Sequence, residues 1–368
     1  MDSVVEYYPA MEQEFKAIMA AVADIPLAEK LFPELSAEER KQRFATYESV
    51  RQFQADAMFR GCQYIVNHTM DDFSWSGEQY LDGKPCLFIS NHRDIVLDAM
   101  LLQYMLISLG RDTTHVVVGT NLFEMPLMLQ LAKVNKMIGM PRGGNRKEYY
   151  NILMEMSSTL HRLVNEEKQS VWIAQRNGRT KDGHDRTEPA LLKMIARNSN
   201  NDSPVQALAS MNIVPLSISY EWEPCGMQKA REMCFRRQGP YVKTPGEDTQ
   251  SIVSGMMDYK GRVHLAVCQP ISPDEIAALN GNETLVAELI DHRISDNFRL
   301  FEGNRVAVDL LRGRKVDDTE KTAQFIRYID DACLRAGMGD EFRQTLLGIY
   351  AAPVLASDKC SVINDNNF

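Results

Sequence analysis

The sequence lacks several features that mark common classes of protein. No apolar run reaches the roughly 18 residues that a membrane-spanning helix requires, so we expect any membrane contact to be peripheral. The 7 cysteines are scattered without a CxxC pair and no signal peptide is visible, which favours a reduced, cytoplasmic protein. The net charge of -9 argues against a general nucleic-acid binder.

The sequence also lacks two patterns of catalytic sites. It has no Gly-x-Ser-x-Gly elbow of a hydrolase. No histidine lies at metal-ligand spacing from another His or Cys, so we expect no metal.

The composition favours a folded chain with a large core and helical ends. Of the 368 residues, 44% are hydrophobic and 25% are charged. Apolar residues at three- and four-residue spacing predict an N-terminal helical region over residues 1–80, in which Ser36 and Glu39 have the spacing of a capping box. Helical periodicity returns in a C-terminal region over residues 273–368, whose last residues, from Ser357, are typical of a weakly ordered tail.

Between these regions, residues 81–272 have the pattern of an α/β core. Helical patterns at 95–109 and 147–166 lie between short aliphatic runs that indicate strands. The runs occupy residues 86–90, 115–119, 170–174, 213–219 and 262–268. This alternation predicts a mostly parallel central sheet flanked by helices. Pro215 predicts an edge or irregular position for its strand, because proline cannot donate to a sheet ladder.

The stretch FISNHRDIVLD places polar side chains where an apolar run passes into a helical pattern. His92 is expected at the carboxyl end of a strand, where parallel sheets collect reactive groups. Asp94 is suited to cap the following helix, and Asp98 lies four residues later on the same helix face. Either carboxylate could reach the His92 ring, fix its tautomer and make its other nitrogen a better base. The alternative is that Asp94 caps the helix, His92 bonds a loop carbonyl and Asp98 is exposed.

Two later segments are rich in cations. In residues 137–156, Arg142, Arg146 and Lys147 surround a Gly-Gly turn just before a helix, and helix N-termini favour anions. In residues 170–194, a glycine-containing loop after a predicted strand carries Arg176, Arg179, Lys181 and Arg186. Guanidinium groups bind phosphate with two parallel hydrogen bonds, so this loop indicates a phosphate site. For both segments the alternative is a solvated loop.

Taken in order, these segments resemble the four sequence motifs of the glycerolipid acyltransferase superfamily, which comprises the glycerol-3-phosphate and 1-acylglycerol-3-phosphate acyltransferases. SNHRDIVLDAMLL is similar to the first motif, a His and an Asp followed by apolar residues, and IGMPRGGNRKEYY to the second, an Arg-bearing loop. AQRNGRTKDG, with Pro189 after it, resembles the third, a Glu-Gly-x-Arg-Ser loop followed by a proline. IVPLSISYE resembles the apolar fourth motif. The resemblance covers roughly residues 85–272.

The chain departs from the family pattern at two points. Five residues separate His92 from Asp98, where the family has four. We favour Asp98 as the partner of His92 because apolar residues follow it as in the family, and Asp94 stays open. In the third motif, Gln175 stands where the family has a glutamate that helps to hold the acceptor, and Arg176 stands where it has a glycine. Both departures support an alternative function, a catalytically altered protein of the same fold that binds lipid or acyl carrier protein.

The resemblance implies a role for each motif residue, because the family moves a fatty acyl group from a thioester to a glycerol hydroxyl. His92 would take the proton of the attacking hydroxyl and Asp98 would orient His92, with Asp94 as the second candidate. Arg142 and Arg179 match the basic positions of the family best and would hold the phosphate of the acceptor. The other candidate substrate-binding residues are Arg93, Arg146, Gln175, Arg176, Gly178 and Lys181. Neither a cofactor nor a metal is implied.

The implied enzyme is an O-acyltransferase of phospholipid biosynthesis. Its donor would be acyl-CoA or acyl carrier protein, and its acceptor glycerol-3-phosphate or a lysophospholipid such as 1-acylglycerol-3-phosphate. Because the product is a lipid, we expect a cytoplasmic protein associated peripherally with the inner leaflet of the membrane. The Met- and Leu-rich residues 121–140 would form the wall of an acyl-chain tunnel or a surface docked on anionic lipid. A core helix with methionine as filler is the alternative for that segment.

Overall fold

The chain is built around one central sheet. The computed structural model describes residues 4–6, 12–124, 126–141, 145–197 and 203–364. Within these residues the sheet has eight strands: β1 (Val5–Glu6), β2 (Met70–Ser76), β3 (Leu87–Ser90), β4 (His115–Gly119), β5 (Met137–Met140), β6 (Val171–Ala174), β7 (Ile213–Tyr220) and β8 (Gly261–Val267). Their order across the sheet is β1-β5-β4-β6-β3-β7-β8-β2.

The middle of the sheet is parallel and its two edges are mixed. β5, β4, β6, β3 and β7 all run parallel to their neighbours within this group. β8 is antiparallel to β7, β2 is parallel to β8, and β1 is antiparallel to β5. The central strands are rich in Val, Ile and Leu because both faces of a parallel sheet are covered. The predicted mostly parallel sheet flanked by helices is confirmed.

Seventeen α-helices in the described ranges surround this sheet. They are α1 (Glu12–Ala23), α2 (Pro26–Leu31), α3 (Ala37–Ala45), α4 (Val50–Phe53), α5 (Phe59–Thr69), α6 (Leu97–Ser108), α7 (Pro126–Lys133), α8 (Arg146–His161), α9 (Pro189–Ile195), α10 (Pro204–Ala209), α11 (Gly226–Gln238), α12 (Glu247–Met257), α13 (Pro273–Ala278), α14 (Glu283–Asp296), α15 (Glu302–Leu311), α16 (Glu320–Ala336) and α17 (Gly339–Asn364). Short π-helical turns continue the chain at Gln54–Met58 and Arg162–Glu166. In the part of the chain that the structure describes, no helix combines the length and the apolar character that crossing a membrane requires.

The two faces of the sheet are buried in separate hydrophobic cores, because successive side chains of a strand point to opposite faces. On β3, Leu87 and Ile89 face the core that includes Leu192 of α9. Phe88, between them, faces the opposite core, which includes Leu101 of α6. Full burial of each such side chain contributes about 1.5–3 kcal/mol. β3 is therefore packed on both faces over the residues that lead to His92.

The helical regions at the two ends form cores of their own. Phe15, Phe44 and Phe53 belong to a cluster of α1–α4, and the predicted capping box of Ser36 at the start of α3 is present. In the C-terminal region, Phe325 and other buried residues of α11 and α15–α17 form a second cluster. α17 also touches the loop between β6 and α9, which we call the cation loop (residues 175–188). A Cβ on Gly183 of that loop would collide with the Ile349 carbonyl of α17, so the loop backbone lies directly on the helix.

The structure differs from the sequence-based expectations at three places. β1 and β2 lie inside the region predicted as helical over residues 1–80, and they pair with β5 and β8, so the sheet begins before residue 81. The β2 sequence MDDFSWS has few aliphatic residues because an edge strand keeps much of its surface in solvent. At the other end, α17 continues to Asn364, through part of the expected tail. Pro215 lies in β7, which is an internal strand. The Pro215 carbonyl accepts the N–H of Cys268, the residue just after β8 ends. The missing N–H of Pro215 faces this same end of β8.

Candidate active site

A cavity of ≈ 720 Å³ opens where the parallel strands end. Its walls include residues at or just after the carboxyl ends of four strands: His92 after β3, Gly119 on β4, Met140 on β5 and Ala174 on β6. The carboxyl edge of an open parallel sheet is where ligands bind in proteins of this architecture. The cation loop continues the wall, so the polar segments that sequence analysis singled out meet at this edge.

His92 and Asp98 form a hydrogen-bonded pair in this wall. The His92 Nδ1 atom lies 3.0 Å from the Asp98 Oδ2 atom, and 13% of the His92 side chain is exposed. The edge of the Trp172 ring packs against the His92 ring, with the two ring centres 6.1 Å apart. His92 is held further by its backbone, since its carbonyl accepts the Thr180 N–H of the cation loop at 2.7 Å. Nδ1 is thus engaged, and Nε2 is the ring nitrogen left for a ligand in the cavity.

Asp98 lies in the first turn of α6 and is saturated with donors. Its Oδ2 atom accepts the backbone N–H groups of Arg93 at 2.7 Å and of Asp94 at 2.9 Å, in addition to facing His92. Its Oδ1 atom accepts the hydroxyl of Tyr220 at 2.9 Å. The extra residue between His92 and Asp98 is accommodated because the loop folds back over the carboxylate. Sequence analysis did not single out Tyr220, which lies at the end of β7 and 122 residues from Asp98.

Asp94 has a different environment from Asp98. Its Oδ1 atom accepts the backbone N–H groups of Val96 and Leu97, each at 2.9 Å, so it supports the turn that leads into α6. Its Oδ2 atom is buried against Gly255 and accepts no hydrogen bond from the described residues. Burial, and then the charge of Asp98, raises the pKa of Asp94. The N-cap position of α6 is Val96, so Asp94 supports the turn before the helix and makes no hydrogen bond to the His92 ring.

Arg93 does not face the cavity, which corrects its expected place among the substrate-binding residues. Its side chain is 2% exposed. The guanidinium donates to Asp185 Oδ2 at 2.7 Å and to Glu223 Oε2 at 3.2 Å. Lys229 completes the group, with Nζ 2.6 Å from both the Glu223 Oε1 atom and the Arg93 carbonyl. We call these four residues the Arg93 cluster. Burial alone would lower the pKa of Arg93, but the charges of Asp185 and Glu223 raise it.

Several predicted residues of the cation loop line the cavity. They are Arg176, Gly178, Arg179 and Lys181. The Nε atom of Arg176 and the Nη1 atom of Arg179 are buried and donate to no described group. Lys181 is different, because it forms an ion pair with Glu232 of α11. Burial lowers the pKa of Lys181, and the neighbouring Glu232 opposes that shift.

Gln175 lies outside the cavity wall, which corrects the expectation that it holds substrate. Its side chain is buried with 0% exposure, and its Oε1 atom lies 3.5 Å from the Thr187 hydroxyl. Thr187 in turn donates its N–H and its hydroxyl to Asp291 of α14, at 2.7 Å and 2.6 Å. The glutamine therefore lies where the cation loop leaves the sheet and returns to α9, and it is absent from the described wall of the cavity.

The second motif contributes less than expected within the described residues. Arg142 lies outside them, as do Gly143 and Gly144. Arg146 is the first residue of α8, where Asn145 caps the helix, and it is exposed and outside the cavity wall. Tyr149 of the same helix does line the cavity. The prediction that Arg146 binds substrate therefore has no support from its position.

The deeper wall of the cavity is apolar. It includes Val117, Leu122, Leu153, Trp172 and Met194. Residues 121–140 thus divide between two of their expected roles. Leu122 and Met140 line the cavity as a tunnel wall would. Ala132 and Val134, by contrast, are fully buried, which is the alternative of a core segment.

Two further cations reach the cavity from the segment after β7, in which the sequence predicted no functional residue. Arg236 at the end of α11 and Lys243 after it line the mouth. Both are paired, Arg236 with Glu232 and Lys243 with Asp248. Nothing in their local sequence marks them, because the cavity meets them only through the packing of α11 across the cation loop.

The chain resembles known proteins over this part of the structure. Residues 72–219 match a protein-family model described as Acyltransferase. A comparison with curated proteins finds no match. Among solved structures the chain is similar to 1-acyl-sn-glycerophosphate (LPA) acyltransferase, PlsC, from Thermotoga maritima, with a TM-score of 0.40 and 11% sequence identity. That likeness covers 77% of this chain and 94% of the other. The family match runs from β2 into β7 and contains both the His92–Asp98 pair and the cation loop.

Proposed function

We propose that this chain, whose residues 72–219 match the Acyltransferase family model, transfers a fatty acyl group from a thioester to a hydroxyl of a phosphate-bearing glycerol acceptor. The donor is acyl-CoA or acyl carrier protein. The acceptor is glycerol-3-phosphate or a lysophospholipid such as 1-acylglycerol-3-phosphate. The observation that carries the proposal is the His92 ring in the cavity wall, with Nδ1 held by Asp98 and Nε2 left for the substrate.

His92 acts as the general base. A glycerol hydroxyl is a weak nucleophile near neutral pH, so its proton must leave as the oxygen attacks. Nε2 of His92 takes that proton while the hydroxyl oxygen forms a bond to the thioester carbon. The C–S bond then breaks, and the departing sulfur recovers the proton from the imidazolium. Asp98 stabilises the imidazolium in between, which is the role of a carboxylate in Ser-His-Asp sites. No cofactor or metal has a part in these steps.

Backbone N–H groups of the cation loop stabilise the oxyanion of the thioester carbonyl. Within the described residues, the N–H groups of residues 176–179 donate no hydrogen bonds. They lie in the cavity wall with His92, and Gly178 has a φ of 80°, a left-handed conformation that suits glycine. Donors that are already in place cost no reorganisation when the negative charge develops. This supports the cation loop as the oxyanion site.

The phosphate of the acceptor binds at Arg176 and Arg179. A buried guanidinium N–H without an acceptor costs free energy, and a phosphate oxygen would remove that cost. Arg176 Nε and Arg179 Nη1 are such groups, and both residues line the same cavity as His92. Arg142 remains a predicted phosphate ligand that lies outside the described residues. The apolar wall with Leu122, Leu153 and Met194 suits the acyl chain.

The protein works in the cytoplasm at the surface of the inner leaflet, because a lysolipid acceptor and the lipid product both reside in a membrane. Arg236 and Lys243 at the mouth of the cavity are each paired with a carboxylate of this chain, and they are the cations placed to meet an acidic carrier protein or anionic lipid by exchanging those partners. A carrier-protein donor and a CoA donor present different groups to this rim, so the test includes both.

The test is an acyl-transfer assay with purified protein. Acyl-CoA and acyl carrier protein serve as donors, and the acceptors are glycerol-3-phosphate, 1-acylglycerol-3-phosphate and their phosphate-free counterparts glycerol and monoacylglycerol. We expect thiol release and a new ester with a phosphate-bearing acceptor only. His92→Ala should lower the rate at least a thousandfold, on the scale of removing a catalytic base. His68→Ala, a change at an exposed histidine of α5, is the matched control and should leave the rate unchanged.

Two outcomes would contradict the proposal. Binding of lipid or carrier protein without turnover of any acceptor would favour the catalytically altered alternative. Equal rates for the wild type and His92→Ala would remove His92 from the mechanism.

A further inference from the structure

Tyr220 is the last residue of β7 and is buried beside the His92–Asp98 pair. Its side chain is 3% exposed, and its hydroxyl donates to Asp98 Oδ1 at 2.9 Å. No other described group donates to that oxygen, whereas the Oδ2 atom serves His92 and two backbone N–H groups. The tyrosine therefore fixes the rotation of the carboxylate that holds the His92 ring.

The position of Tyr220 follows from the strand order. β7 lies next to β3, and Ser90 of β3 pairs with Leu216 of β7, so both strands end at the same edge of the sheet. β7 continues four residues beyond Leu216 while the chain after β3 turns into the His92 loop. Tyr220 thereby approaches α6 from the strand side, and Asp98 approaches from the helix.

Tyr220 remains a proton donor at any pH at which the protein works. Burial, together with the charges of Asp98 and Asp94, raises the pKa of the Tyr220 hydroxyl well above its ordinary value. A neutral hydroxyl that stays protonated can only donate to a carboxylate. Near neutral pH the hydroxyl therefore donates to the Asp98 carboxylate and does not accept from it.

We propose that Tyr220 is a positioning residue that sets, through Asp98, both the orientation and the proton affinity of His92. The role in turnover rests on the proposed function of His92 as base, whereas the effect on the His92 ring does not. A donor to Oδ1 withdraws negative charge from the carboxylate, so it weakens the attraction between Asp98 and the imidazolium. Without this donor, the imidazolium is stabilised more strongly and His92 holds its proton to higher pH.

The charged and titratable groups around this pair come from several elements. They are Arg93 and Asp94 in the His92 loop, Glu223 after β7, Arg176, Arg179, Lys181 and Asp185 in the cation loop, Lys229 on α11 and Lys260 before β8. A substitution of the Tyr220 hydroxyl alone leaves all of them in place, so a shift in the titration of His92 can be assigned to the lost hydrogen bond.

The experiment compares Tyr220→Phe with the wild type by two measurements. NMR titration of the His92 ring should give a pKa raised by about one pH unit, which corresponds to a tenfold change in proton affinity. The acidic limb of the kcat/KM profile should move to higher pH by a similar amount. At the plateau, kcat should fall about tenfold with KM unchanged, because the ring is held less firmly.

Tyr47→Phe is the matched control. Tyr47 is also a buried tyrosine that donates to a carboxylate, Asp56 at 2.8 Å, but it lies in the N-terminal helical cluster. It should leave both the His92 titration and the kcat/KM profile unchanged. If Tyr220 contributed to stability alone, Tyr220→Phe would lower the free energy of unfolding, as we expect of Tyr47→Phe. It would then change neither the His92 titration nor the kcat/KM profile.

A ring-fluorinated tyrosine at position 220 keeps the proposal testable if Tyr220→Phe does not fold. Fluorine makes the hydroxyl a stronger donor, so the pKa of His92 should move in the opposite direction, downward. An unchanged His92 titration in whichever variant folds overturns the proposal. A shifted titration in a protein that transfers no acyl group supports the link from Tyr220 to His92 and contradicts the proposed function instead.

Discussion

His92 and Arg93 are neighbours in the chain but belong to two different parts of the molecule. His92 faces the cavity and is tied to Asp98, whereas Arg93 points away from it and lies between Asp185 and Glu223. Both residues follow the end of β3 in the loop before α6, and that loop directs one side chain to each part. The first side carries the proposed chemistry. The second joins the cation loop and the C-terminal helices to the site.

The two sides differ in how their charges are balanced. On the His92 side, one carboxylate accepts from four donors and part of the His92 ring remains open to the cavity. On the other side, two cations and two carboxylates of the Arg93 cluster neutralise each other in a buried setting. A buried cluster whose charges are all paired suits a structural role. A pair with a ring nitrogen open to the cavity suits the binding of a ligand. Each of the substitutions below tests whether the His92 side and the Arg93 side act independently of each other.

The largest effect is expected from Arg93→Met, which should destabilise the protein by roughly 3–5 kcal/mol. Removing one partner from a buried ionic group leaves the others uncompensated, here Asp185 and part of the charge of Glu223. Urea unfolding near neutral pH measures the change. Arg51→Met is the control, since Arg51 and Asp112 form an exposed pair that should contribute less than about 1 kcal/mol. A small loss of stability at Arg93 would mean that the Arg93 cluster does not hold the cation loop.

The next effect is expected from Asp98→Asn, which should lower kcat/KM a few hundredfold, about 3.4 kcal/mol of barrier. The amide fills the same space, but it has one acceptor oxygen where Asp98 uses two, and it carries no charge to stabilise an imidazolium. Asp94→Asn is the matched control, because its oxygen can still accept from Val96 and Leu97. We expect the control to change kcat/KM less than tenfold. A larger loss at Asp94 than at Asp98 would reverse the roles given to the two carboxylates.

The sequence predicts the part of this site that lies within single segments. The strand-to-helix junction at His92 and the cations after β6 were both identified from local pattern, and both lie at the carboxyl edge of the sheet. Asp98 could be preferred over Asp94 because apolar residues follow it, and the hydrogen bond to His92 is at Asp98. These features depend on neighbours a few residues apart, which is the range over which helix and strand periods act.

The rest depends on contacts between distant segments. The direction of Arg93 is set by Glu223, which is 130 residues away, and the place of Tyr220 is set by the register of β7 against β3. Gln175 could be aligned with the family's glutamate, but only the fold reveals that its side chain points to Thr187. β2 was missed because an edge strand with polar residues has no aliphatic run to indicate it. A single sequence holds no record of which distant residues meet.

The smallest effect concerns Asp291, a third carboxylate that ties the same cation loop from α14. Burial raises the pKa of Asp291 to about 6, and the hydrogen bonds from Thr187 only partly oppose this. Because the pKa of Asp291 in the folded protein lies above its ordinary value of 3.8, the folded protein binds this proton more tightly than the unfolded chain does. The stabilisation is complete below about pH 4 and is lost as the pH rises through about 6, a loss of roughly 2–3 kcal/mol.

Asp291→Asn should abolish this loss, because asparagine can accept both hydrogen bonds from Thr187 and does not ionise. We expect the free energy of unfolding of the variant to gain on that of the wild type between pH 4 and pH 7, as urea unfolding at each pH would measure. Asp296→Asn, an exposed carboxylate on the same helix, should follow the wild type throughout. If Asp291→Asn follows the wild type as well, α14 holds the cation loop without a buried, protonated acid. The site would then depend for its support on the Arg93 side alone.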